Sequence, residues 1–241
     1  MKKEGVKMRV LAIMCHPDDM ELCCSGTLIK YKKQGHDVFA CHVANGNMGH
    51  VVIMPDELRE IRIKEAQKAA ALAGFEIMTA DIGDLTVNSA DMEQIRKVIK
   101  IIRKVRPDVI ITHCPEDYCS DHREVSKIVF KASFDASCPH FMPDLGEATD
   151  VPAVFYADAS DGVNFIPTEY VDITEEMELK EQMLACHESQ LKWLMEHDGI
   201  DVIAVQRTTA AFRGNQCRVK YAEGYRPLLA SQRIRPYRLL P

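Results

Sequence analysis

The sequence contains no apolar run approaching the roughly 20 residues that a membrane-spanning helix needs, so no span is expected. It also lacks the pattern of a signal peptide. Met1-Lys2-Lys3-Glu4 is charged, but the apolar run that follows is only a strand long and leads into His16 and Asp18. A basic excess is missing too: 30 Lys and Arg stand against 36 Asp and Glu, giving a net charge of −6, which argues against a nucleic-acid partner. No CxxC pair occurs, so a structural zinc knuckle is not expected. The nine cysteines are odd in number and scattered through core-like segments, which reads as reduced thiols in a cytoplasmic protein. GxGxxG is absent after the first strand, and the acidic sequence in its place would repel phosphate, so a nucleotide-binding module is not favoured. Repeats, low-complexity tracts and linkers are likewise absent, and one domain over residues 1–241 is expected.

What is present is the composition of a globular α/β protein, 46% hydrophobic and 27% charged, enough apolar residues for a sizeable core. Apolar runs at 9–14, 37–43, 76–80 and 109–112 read as strands. Helical spacing covers 19–34, 55–73 and 92–105, with Gly35 and Gly74 placed to end the first two and Pro107 following the third. This alternation implies a mostly parallel sheet with helices on both faces. A helix is expected over 123–136 and a loop over 137–152. Strands are expected at 153–158 and 170–173. Thr174 is placed to cap a helix running to about Met195, with Glu175 and Glu176 in its first turn. Residues 202–212 fit a helix or a strand, Arg213-Gly214 is expected to break that element, and 219–225 to close the domain.

Two polar clusters follow strands. The first is His16-Pro17-Asp18-Asp19-Met20-Glu21 and the second is His113-Cys114-Pro115-Glu116-Asp117-Tyr118-Cys119-Ser120-Asp121-His122. Ligands in open α/β sheets bind beyond the carboxyl ends of strands, and an imidazole beside two carboxylates there calls for a positive partner. His16 and Asp19, three apart at a strand-to-helix turn, can point at one centre, and His122 can supply a third ligand. Two His and one carboxylate leave an open position, as catalytic zinc sites do. Asp18 could then handle the proton of an attacking water. The alternative for Asp18 and Asp19 is to cap the helix after Pro17. His36, His42, His50, His140 and His197 read as structural.

Taken together, these motifs resemble the PIG-L/LmbE-type deacetylases of N-acetylglucosamine-linked substrates. The signature HPDDxE stands at residues 16–21, a small-residue turn at Cys23-Cys24-Ser25-Gly26-Thr27, and RxxExxxAA at Arg62, Glu65, Ala69 and Ala70. HxSQ stands at His187-Glu188-Ser189-Gln190 and YAE at Tyr221-Ala222-Glu223. The resemblance implies a Rossmann-like fold and Zn2+, or another divalent metal, on His16, Asp19 and His122. It implies Asp18 as general base and acid, with Asp121 orienting a neighbouring imidazole and His187 lining the site. Arg62 and Asp84 are implied to meet the sugar's hydroxyls. Where the family's second metal motif has His-Pro, this chain has Cys119-Ser120; His113, His187 or Tyr118 could replace the lost donor, or Cys119 could itself join the metal. The implied substrate is a small amino-sugar conjugate that loses its acetyl group. The alternatives are cleavage of a larger thiol-sugar amide, or sugar binding without catalysis. Relatives often form trimers or hexamers, so self-association is expected.

Overall fold

The computed structural model describes residues 7–158 and 162–241; the charged Met1–Glu4 segment lies outside them. In chain order the elements are β1 (Arg9–Met14), α1 (Asp19–Cys23), α2 (Ser25–Lys33), β2 (Asp37–Ala44), α3 (Pro55–Ala73), β3 (Glu76–Ile82), α4 (Met92–Val105), β4 (Val109–Thr112) and α5 (Ser120–Asp135). A short 3-10 turn at Pro143–Leu145 precedes β5 (Ala153–Ala157), β6 (Glu169–Asp172), α6 (Met177–Leu184), α7 (Glu188–Asp198), α8 (Val202–Cys217) and β7 (Ala222–Pro227). The strands form one seven-stranded sheet in the order β3-β2-β1-β4-β5-β7-β6. Strands β1 to β5 run parallel, and β7 pairs antiparallel with both β5 and β6. The fold is therefore α/β and Rossmann-like, as the strand–helix alternation implies.

The central strand β1 explains why its sequence is continuously apolar. Val10, Ala12 and Met14 pack into one core with α2 and α6, while Leu11, Ile13 and Cys15 pack into a second core with α4 and α5. Helices cover both faces, so neither side of the strand meets water. The chain leaves β1 toward β2 on one side and β4 on the other. The strand order thus reverses at β1, and the loops after β1 and β4 open on the same crevice. Both polar clusters lie there.

Several boundaries differ from the sequence expectation. The expected helix over 19–34 is two helices, broken at Cys24, whose φ of −149° leaves the helical region. The break frees the amides of Gly26 and Thr27, which donate to the Glu223 carboxylate at 2.9 and 2.8 Å. A buried anion on a helix N-terminus is a favourable partner for these amides. Helix α5 begins at Ser120, so Asp121 and His122 stand in its first turn rather than in a preceding loop. The helix expected to run to Met195 is interrupted between Leu184 and Glu188, and Thr174 does not cap it; Glu176 occupies the N-cap position. Residues 202–217 are helical, capped by the Asp201 carboxylate on the Ala204 amide. Gly214 does not break this helix. A Cβ there would lie 2.7 Å from the carbonyl oxygens of Val219 and Lys220, so glycine is required for the chain to fold back against α8.

Candidate metal centre

Three donor atoms from the two strand ends face one another. His16 Nδ1 lies 3.2 Å from His122 Nε2 and 3.4 Å from Asp19 Oδ2, and His122 Nε2 lies 3.2 Å from the same oxygen. Tetrahedral coordination at ordinary zinc–nitrogen and zinc–oxygen bond lengths separates ligand atoms by roughly 3.3 Å. The triangle therefore fits one face of a tetrahedral divalent site, and the Cys15 sulfur lies within 4.8 Å of the same donor atoms. The other ring nitrogens are engaged so that the lone pairs point inward. His122 Nδ1 bonds Asp117 Oδ1 at 3.0 Å, and His16 Nε2 lies 3.5 Å from Asp121 Oδ2. Carboxylates behind imidazoles fix the tautomer and strengthen the ligand.

The electrostatics agree with this reading. Burial opposes charge on His122, yet Asp19 and Asp117 hold it well above the ordinary imidazole range. Burial also opposes charge on Asp19, yet His122 and His113 keep it well below the ordinary carboxylate range. Protons held on imidazoles by carboxylates are what a dication displaces when it binds.

Asp18 stands beside this triangle without belonging to it. It precedes α1 with φ 111°, a left-handed conformation, and makes no capping bond from its side chain. Asp19 does not cap the helix either; its Oδ2 accepts the His16 amide at 2.6 Å. Asp18 Oδ2 instead pairs with the Arg62 guanidinium at 3.0 Å. Burial raises the Asp18 carboxyl above its usual value, and Asp19 adds to this, against the pull of Arg62. Arg62 is itself buried; it also donates to the carbonyls of Pro17 and Gly46, and its Nε has no partner. Asp84 accepts the amides of Gly46 and Met48 and approaches His16 Nε2 to 4.0 Å. Asp121 also accepts the Leu85 amide at 2.7 Å. Cys119 is half-buried at the start of α5. Burial pushes its thiol pKa up, but contact with His122 brings it below the usual value. His187 is wholly buried and lies one layer behind, 3.3 Å from Glu21. Burial disfavours its charge, but Glu21 and, further off, Asp18 raise its pKa.

His113 stacks on His122 with ring centroids 3.9 Å apart, and its Nε2 accepts the Cys15 amide at 2.9 Å. It is thus a wall of the site and has no nitrogen left for a substrate oxyanion. Asp117, which the sequence reading left unassigned, serves both rings. Its position four after His113 and five before His122 is the signal that could have found it. Cys15 was also unassigned; its sulfur lies 3.6 Å from His16 Nε2.

Comparison with known proteins decides the lineage. Residues 11–133, just over half of the chain, match the family model PIG-L, described as GlcNAc-PI de-N-acetylase. The chain belongs to the PIG-L family. Diacetylchitobiose deacetylase of Thermococcus kodakarensis is 29% identical over 231 residues, covering 90% of this chain and 82% of that protein. The solved N,N'-diacetylchitobiose deacetylase from Pyrococcus horikoshii superposes with a TM-score of 0.79 at 28% identity, covering 91% of this chain and 83% of that one. A 4-oxalmesaconate hydratase of Pseudomonas putida is 25% identical over 229 residues, 89% of this chain and 86% of that protein. This PIG-L chain is thus related to N-deacetylases along nearly its whole length, and among its described residues no helix is long and apolar enough to cross a membrane.

Proposed function

We infer that the protein is a zinc-dependent hydrolase that removes the N-acetyl group from a small N-acetylglucosamine conjugate. The observation that carries this is the donor triangle of His16, Asp19 and His122, with the neighbouring Asp18 carboxylate left outside it and within electrostatic reach of Asp19 and His16. Another divalent ion of similar size would also fit. The bound cation would supply Lewis acidity, polarising the acetyl carbonyl and lowering the pKa of water toward ~7. Asp18 accepts the proton of the attacking water and delivers it to the departing amine nitrogen. Its raised pKa suits a group that must both take and return a proton. Arg62 holds the Asp18 carboxylate in place. Asp117 and Asp121 keep His122 and His16 in the ligating tautomer. His187, beside Glu21, lies behind Asp18 and steadies that side of the site.

Arg62 and Asp84 are assigned to the sugar's hydroxyls, and Cys119 to the acetyl side of the site as a small side chain. The whole of residues 1–241 acts as one catalytic unit, self-associated as a trimer or hexamer, which light scattering would read directly. Nine unpaired thiols support a cytoplasmic setting.

The test is to load the protein with zinc, incubate it with a panel of N-acetylglucosaminides and measure free amine. Amine release that disappears in Asp18→Asn supports the reading; inertness toward the whole panel would overturn it. A hydratase is the second reading, because one relative of comparable coverage bears that name. Hydration of 4-oxalmesaconate, with the amide panel untouched, would establish it.

A further inference from the structure

Large apolar side chains stand exposed around the metal centre on three separate loops, and each loop is tied to the centre by a polar contact. Met48 is 52% exposed, and its amide donates to Asp84 Oδ2 at 3.1 Å. Leu85 is 74% exposed, and its amide donates to Asp121, the carboxylate behind His16. Leu85 also adopts φ 63°, a left-handed conformation that is unfavourable for a bulky residue. Tyr118 is 71% exposed, with its ring set edge-on to His122 at 5.7 Å. Val51 and Val52, 68% and 77% exposed, extend the Met48 side. Scattered exposed apolar residues need no explanation, but Met48, Leu85 and Tyr118 are each linked to a residue of the same polar centre, and apolar side chains exposed at a polar site mark a binding surface.

We propose that these residues form an apolar collar that receives the group attached to the amino sugar, so that the favoured substrate is an alkyl or aryl glucosaminide. Arg62 and Asp84 take the sugar's hydroxyls, and the metal centre takes its acetamide. The collar takes an uncharged, apolar aglycone. A second free sugar or an inositol, which would present hydroxyls to Leu85, Val52 and Met48, is disfavoured, because those side chains offer no hydrogen-bond donor in return. The proposal rests on the deacetylase reading for the position of the sugar.

The test measures binding and turnover separately. Methyl and hexyl β-glucosaminides, the amine products, are titrated by calorimetry into the zinc-loaded protein below their micelle-forming concentrations. Deacetylation of the matching N-acetyl compounds is followed by amine release. Each buried methylene strengthens binding by up to about fourfold, and a half-covered chain gains about half of that on a logarithmic scale, so the hexyl compound binds more than tenfold tighter than the methyl compound. Leu85→Asn, which tolerates the left-handed backbone, and Val52→Ser each cut that ratio by about threefold and leave methyl glucosaminide binding unchanged. Equal binding of the two compounds, or a ratio unmoved in both variants, overturns the collar even if deacetylation proceeds. Loss of deacetylation with the binding ratio intact overturns the deacetylase reading instead. Co-sedimentation with phosphatidylcholine vesicles alongside equal binding assigns the apolar surface to a membrane and also overturns the collar.

Discussion

Asp18 carries two costs, a left-handed backbone and partial burial of a carboxylate, and gains only one charged partner, Arg62. Glycine or asparagine would fit that backbone at less cost, and the proposed proton-transfer role gives the carboxylate a reason to be there. Asp18→Asn should lower kcat by about 10²–10⁴-fold with metal content unchanged, measured as amine release beside elemental analysis. Asp117→Asn should act differently. It removes the anion behind His122, so zinc affinity should fall about 10–100-fold in a chelator competition. His42 gives a pH signature independent of the metal ligands. Burial lowers its pKa to about 4, so it stays neutral in the folded protein while the unfolded imidazole protonates near pH 6.5. The unfolded state therefore binds more protons between those values, and stability falls as pH drops from about 6.5 to 4, by up to about 3 kcal/mol. Denaturant titrations should show this slope shrinking in His42→Asn; an unchanged slope would refute the assignment.

At the level of elements, the helix break at Cys24 has a distant cause. The residues around Cys24 are weak helix formers, and a partner about 200 residues away makes the break favourable. Glu223 receives the Gly26 and Thr27 amides, the Lys180 ammonium at 2.7 Å and the Tyr225 hydroxyl at 2.9 Å. This buried ion pair fixes α2, α6 and β7 to one another. Glu223→Ala should cost about 3–5 kcal/mol in chemical denaturation, because it strands Lys180 and two amides. Gly214 shows the converse case. Local rules read it as a breaker, whereas it is a point of close approach within an intact helix. Gly214→Ala should cost about 1–3 kcal/mol by the same measurement, and a neutral result would show that the carbonyls of Val219 and Lys220 give way. Strands β1, β2 and β4 were legible because both faces are largely buried and their apolar runs are bounded by Gly, Pro or charge, whereas the edge strand β3 is exposed at Glu76 and Thr79. The ends of β2 and β3 ran one or two residues longer, into residues that the pairing of His42 and Ala44 with β3 keeps in the sheet.

Across the whole molecule, the placement of function follows from strand order. Once β1 lies between β2 and β4, the residues after β1 and β4 must meet, and a His and an Asp from one loop face a His from the other. That convergence could be read from the two clusters in sequence, because each ligand type and each strand end was visible. Asp117 was not assigned, and His113, read as a replacement donor, is instead stacked on His122, since both roles depend on ring orientation, which spacing does not reveal. The burial of His187 was equally hidden, because its helix is interrupted just where it meets Glu21. The account as a whole depends on one cation bridging the two loops. Anomalous diffraction from zinc-loaded crystals tests this directly. The account predicts a single strong peak at about 2.0–2.2 Å from His16 Nδ1, Asp19 Oδ2 and His122 Nε2, lost in His122→Ala. A peak held by other residues, or stoichiometric zinc that survives that substitution, would contradict it.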